Sequence, residues 1–92
     1  MKKNKTYETK DLALAAYLIA IGFVLKNYSK QNNEIYFEFE HSDRLSDEEL
    51  KFISRQALVE PLAFSQSLKS LKSILYAIKN EDGNNYNDKR NR

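Results

Sequence analysis

The chain of 92 residues contains no cysteine, one proline, two glycines and one histidine. Without cysteine there are no disulfides, thiolate metal ligands or cysteine nucleophiles, and a reducing, intracellular setting is compatible with such a composition. Gly22 and Gly83 are too few and too far apart for a phosphate-cradling loop. Serines are plentiful, yet there is no Gly-x-Ser-x-Gly elbow and His41 has no evident serine partner. His41 stands near Glu38, Glu40 and Asp43, but one histidine with scattered acids is a poor zinc set, and the acids lack calcium-loop spacing. A solvated strand end and loop is the better account of them. These absences point away from an enzyme, a bound metal and a cofactor.

Long apolar stretches are also scarce. The chain has one, Leu12 to Leu25, framed by Lys10 and Asp11 before it and Lys26 directly after it. As a helix, fourteen residues would reach roughly 21 Å, short of the ~30 Å hydrocarbon core of a bilayer. Lys2, Lys3 and Lys5 resemble the basic start of a secretory signal, but Glu8 and Asp11 interrupt it and no small-x-small cleavage pattern follows. The run therefore reads as a buried helix. Thr9 is its expected N-cap, Asp11 suits the first turn, and Gly22 supplies the left-handed residue that ends many helices. Tyr17, Ile21, Leu14 and Leu18 form one broad face, with Leu12 and Ile19 nearly opposite, so contacts on several sides are expected. Ala13, Ala16 and Ala20 form a small-residue strip that would let another element approach closely.

The remaining segments complete a small α+β domain. Thr6 to Glu8 suits a short edge strand, and Phe23 to Tyr28 has strand-like composition. After a polar turn at Ser29 to Asn33, Glu34 to Glu40 alternates, with Ile35, Phe37 and Phe39 on one side and Glu34, Tyr36, Glu38 and Glu40 on the other. The two strands form a hairpin whose Phe face the first helix must cover. Ser46-Asp47-Glu48-Glu49 reads as a capping box with Ser46 as N-cap, and Leu45 and Leu50 occupy the positions of a hydrophobic staple. Leu50, Ile53 and Ala57 then share one face, leaving Phe52 nearly opposite, beside Glu48 and Arg55. Pro61 opens a third helix with a seam of Phe64, Leu68, Leu71, Leu75 and Ile78. The expected order is (β)-α-β-β-α-α. Residues 1–5 are expected as a flexible N-terminus, 6–79 as one domain and 80–92 as a disordered, Asn-rich tail. A core this small is marginal alone, which makes a homodimer a reasonable expectation.

Tyr7-x-Thr9-x-Asp11-Leu12-x-Leu14-Ala15-x-Tyr17-Leu18, closed by Gly22, resembles the opening of a small domain family of unknown function found in bacteria, phages and mobile elements. Phe37-x-Phe39, Val59-x-Pro61-x-x-Phe64 and Leu68-Lys69-x-Leu71-Lys72-x-x-Leu75-Tyr76 are similar to its later parts, so the resemblance runs from Thr6 to Tyr76. It implies a bacterial, cytoplasmic or mobile-element origin. It attaches no reaction, cofactor or catalytic residue to the chain.

Charge divides the chain more sharply than its net +2 suggests. Glu34 to Leu50 holds seven acids against Arg44, a net of −6, whereas Lys51 to Lys79 holds five bases against Glu60, a net of +4. The first ten residues add +3. On the third helix Lys69, Lys72, Tyr76 and Lys79 fall within an arc of roughly 80°, beside the apolar seam. Ser65 shares that arc; Gln66, Ser70 and Ser73 line the next strip. Lysines with hydroxyls and an aromatic can contact phosphates and a base or sugar; a solvated lysine face is the plain alternative. The expected function is a non-enzymatic binding module docking nucleic acid or a nucleoprotein through Lys69, Lys72, Tyr76 and Lys79. The alternative is a protein-binding inhibitor or adaptor, such as a counter-defence protein. It would use the acidic surface with Phe52, Glu48 and Arg55, and could pair as a homodimer through a sheet edge.

Overall fold

A computed structural model describes the backbone of residues 5–83, with side chains through Lys79. Lys2, Lys3 and the tail beyond Gly83 lie outside the described residues. The elements are β1 (Thr6–Thr9), α1 (Leu12–Ala20), β2 (Leu25–Gln31), β3 (Glu34–Glu40), α2 (Asp43–Ile53) and α3 (Pro61–Gly83). They form an α+β fold in the order β-α-β-β-α-α. The antiparallel sheet has the order β1-β3-β2, so the most regularly alternating segment of the sequence is its centre. Lys5, at the edge of the expected flexible N-terminus, accepts a backbone hydrogen bond from His41 at 2.8 Å and prolongs the β1–β3 pairing.

Strand register puts Tyr7 and Thr9 opposite Phe39 and Phe37, on one face of the sheet. Phe37 and Phe39 are buried there, together with Leu14 and Leu18 of α1, Leu45 of α2 and Leu71 of α3. Fully burying each such side chain stabilises the fold by about 1.5–3 kcal/mol. The other face of the sheet carries Glu8 opposite Glu38 and exposes Glu8, Glu34 and Glu40. The alternation that makes β3 amphipathic thus sets an apolar interior against an acidic exterior.

Five consecutive residues of α1, Leu14 to Leu18, are buried. This is the all-round burial that its composition demands, for α1 packs against the sheet, α2 and α3. Ala15 and Ala16 are wholly inaccessible and α1 and α3 approach within 8 Å between Cα atoms. Of the expected strip Ala16 is buried, Ala20 half-buried and Ala13 exposed. The N-cap is Asp11, not Thr9: Asp11 accepts from the Leu14 amide at 3.1 Å, while the Thr9 hydroxyl accepts from the Asp11 amide at 3.0 Å. At the other end Gly22 (φ 115°) donates to the Ile19 carbonyl and Phe23 to the Leu18 carbonyl. This is a Schellman closure around the residue that has no Cβ.

The hairpin turn is tighter than its polar sequence suggests. Ser29, Lys30 and Gln31 belong to β2, leaving Asn32 and Asn33 as a two-residue turn with φ of 53° and 69°. Positive φ at both positions is the type I′ requirement, which asparagine tolerates better than most side chains. A bulge between Leu25 and Asn27 shifts the β2 register.

α2 begins earlier than expected. Its N-cap is Ser42, whose hydroxyl accepts from the Leu45 amide at 3.1 Å, so Ser46 lies within the helix and its hydroxyl sits 3.0 Å from His41 Nε2. The inward face is Leu45, Glu48, Glu49 and Phe52. Leu50 and Ile53, expected inside, are each 65% exposed. The helix stops at Ile53, so Ala57 is not on it, and a second Schellman closure follows. Arg55 (φ 65°) donates to the Phe52 carbonyl and Gln56 to the Lys51 carbonyl. α3 then starts with Pro61, its first free amides satisfied by the Glu60 carboxylate, which accepts from Leu62 and Ala63. No helix among the described residues is long and apolar enough to cross a membrane.

Candidate functional site

Two groups of residues carry the candidate functions, and the structure treats them differently. Lys69, Lys72, Tyr76 and Lys79 all lie exposed on α3, as the helical arc requires. Ser65, Gln66, Ser70 and Ser73 are exposed beside them. Tyr76 is 62% exposed. None of the three lysines has an acidic partner at ion-pair distance among the described residues.

Lys72, Tyr76 and Lys79 do more than lie in a row. They form one wall of a groove of about 490 Å³ between α3 and the β2–β3 hairpin. Leu12, Ile35, Leu75 and Ile78 supply its apolar lining, and Lys30 and Asn33 stand on the hairpin side. Lys69 lies outside the groove, one turn before Lys72. Lys30 shares a sheet face with Ile35 because the two are register partners. That placement follows from the two-residue turn, and the longer turn expected from sequence concealed it. A smaller recess of about 230 Å³, lined by Leu12, Ile35 and Leu75, holds the exposed Lys10–Glu34 ion pair, whose N–O distance is 2.9 Å. Lys10 is thus paired within the domain and adds little net charge to the groove.

Of the second group, Phe52 and Glu48 are partly buried and Arg55 is exposed. Phe52 is half-buried, with its ring centroid 5.6 Å from that of Tyr17. This corrects the expectation of an exposed anchor: the helix turns Phe52 inward and Leu50 outward. Glu48 Oε1 accepts from the Tyr17 hydroxyl at 2.6 Å, and its Oε2 lies 3.6 Å from Lys51 Nζ. Glu49 Oε2 accepts from the Tyr7 hydroxyl at 2.7 Å. Arg55 has left the helix and serves as its left-handed terminal residue.

Burial and these bonds shift the ionisation of both phenols and of Glu48. Burial, reinforced by the bond to Glu48, pushes the Tyr17 phenol up to about 12. Tyr7 is raised as well, through burial and then Glu49. The Tyr17 hydroxyl holds Glu48 below the usual carboxylate range, with Lys51 and Arg44 helping against partial desolvation. Glu48 and Glu49 therefore act as clasps that hold α2 to α1 and β1. Arg44 lies with its guanidinium carbon 4.5 Å from the centroid of the Phe23 ring and fastens the start of the helix in the same way.

His41 is held by Ser46 and by its own backbone bond to Lys5. Among the described residues no three histidine or acidic side chains gather into a set able to hold a metal ion. The α3 side brings together cationic side chains, an exposed aromatic ring and an apolar lining, the elements of charge, stacking and apolar contact.

A family model described as a domain of unknown function (DUF5659) matches residues 4–77. No curated protein and no solved structure matches the chain.

Proposed function

The chain belongs to the DUF5659 family, and from that premise we propose that it is a non-enzymatic binding module that docks nucleic acid or a nucleoprotein through α3. The observation that carries this reading is the joining of Lys72, Tyr76 and Lys79 at one groove wall, with Lys69 a turn away. The lysines neutralise phosphates and Tyr76 packs on a base or sugar. A bacterial mobile element or phage, with the protein acting in the cytoplasm, is the setting we propose for it. Fluorescence anisotropy with labelled DNA and RNA oligomers, titrated with salt, tests the reading. Binding should weaken as salt rises, and Lys72→Ala with Lys79→Ala should flatten the slope by about 1.4–1.8 in log–log form. Absence of binding at low ionic strength would reject it.

A second reading, a protein-binding inhibitor or adaptor acting in counter-defence, is favoured by one observation. Leu50 and Ile53 project together from α2, between the exposed acids Asp43 and Asp47 and the loop that exposes Leu58. In that reading they replace Phe52 as the apolar anchor, and a second copy of the chain is one partner. Sedimentation of wild type against Leu50→Lys with Ile53→Lys tests it. A monomer in both cases, with no partner lost, counts against this surface.

A further inference from the structure

The shape of the groove bears on which form of nucleic acid the domain takes. Resting on the proposed docking role of α3, we propose that the groove between α3 and the hairpin receives an unpaired nucleotide, so that the domain prefers single-stranded nucleic acid to duplex.

A duplex hides its base faces in the stack and presents phosphates along a convex backbone, which an exposed cationic row is enough to meet. Here two of the three lysines flank a concavity. Part of its lining is aliphatic, with Leu12 from α1, Ile35 from β3, and Leu75 and Ile78 from α3, beside Tyr76, Asn33 and the lysines of its rim. The aliphatic part offers nothing to a phosphate, which the lysines can meet, and much to the face of a base released from its stack. At about 490 Å³ the groove has room for more than one base.

The order along the helix suits a single strand. Lys72, Tyr76 and Lys79 follow one another at spacings of four and three residues, so an aromatic stands between two cations on one face. Over seven residues the helix rises about 10.5 Å, within reach of phosphates on either side of a nucleotide lodged against Tyr76, given the length of lysine side chains. Tyr76 is 62% exposed, so its ring is available as a stacking platform without rearrangement of the core. The opposite side of the domain, with Glu8, Glu38 and Glu40 on the open sheet face, repels phosphate and leaves the α3 side as the favourable approach.

The test compares fluorescently labelled single-stranded DNA, single-stranded RNA and duplex DNA of equal length, binding to the full chain at fixed low salt. Single strands should bind at least about ten-fold more tightly than duplex. Tyr76→Ala should weaken single-strand binding about ten-fold and leave duplex binding within two-fold, while Tyr76→Phe should restore it. Ile78→Lys, which adds charge but fills the apolar lining, should lower the single-strand preference. Circular dichroism and thermal melting check that each variant is folded. Equal or tighter binding to duplex, or a Tyr76→Ala loss shared equally by both forms, overturns the single-strand inference while leaving the docking role intact. No binding to any of the three probes removes both.

Discussion

Tyr17, with only 2% of its surface exposed, donates its phenolic proton to Glu48 on another helix at 2.6 Å. An apolar helix is thereby tied through its one polar atom to an acidic one. Tyr17→Phe keeps the ring against Phe52 and removes only the hydroxyl. It should lower stability by roughly 1.5–3 kcal/mol, the range for a hydrogen bond to a charged group. Urea unfolding at neutral pH measures this. Combining Tyr17→Phe with Glu48→Gln should cost less than the sum of the two single changes, because the partners share one interaction.

The same pair fixes a pH dependence. Glu48 has its folded pKa lowered from an ordinary value of 4.5, so its contribution is present above that value and fades as pH falls through the lower folded one. Tyr17 is raised from 10.0 to about 12. Its contribution is present below pH 10.0 and is lost as pH rises toward 12. Tyr7 works in the same direction. Thermal melting across pH should show a plateau between these limbs, and Tyr17→Phe should reduce the dependence at both ends.

Ser42 and Ser46 separate two accounts of where α2 begins. Ser42→Ala removes the cap on the Leu45 amide and should cost about 1 kcal/mol. Ser46→Ala loses only its contact with His41 and should cost less than half as much. Comparable denaturation midpoints for the two variants would contradict the observed N-terminus.

Gly22 and Arg55 occupy equivalent places in two helix closures, both at positive φ. Gly22→Ala meets no atom within 4 Å, so its cost is conformational alone, about 1 kcal/mol. Arg55→Gly relieves the same preference and should stabilise the domain by a few tenths to about 1 kcal/mol. Opposite shifts in melting temperature for these two substitutions are the expected result.

The parts of this fold that were legible in the sequence are those where hydrophobicity and geometry agree. The strict alternation of β3 led to the buried Phe37 and Phe39, and the seam of α3 led to Leu71. α2 defeats that logic because its inward face carries Glu48 and Glu49, whose charges are met by tyrosine hydroxyls that no pattern within the helix announces. Leu50 and Ile53, the greasier pair, face outward instead. The capping box at Ser46 misled for a related reason: Ser42, four residues earlier, caps equally well and lets Leu45 enter the core. On α3 the cationic row was visible from helical spacing. The groove beside it was not, because Leu12 and Ile35 arrive from distant parts of the chain.

The bare carboxylates of the sheet and the lysines of α3 lie on opposite sides of the domain, and this separation has an effect at a distance. Among the described residues the charges of these two faces set up an electric moment directed from strands to helix. In the field of any highly charged surface such a body rotates before it touches, so its first encounters are already sorted by orientation. Electrolyte shortens the range over which that sorting acts.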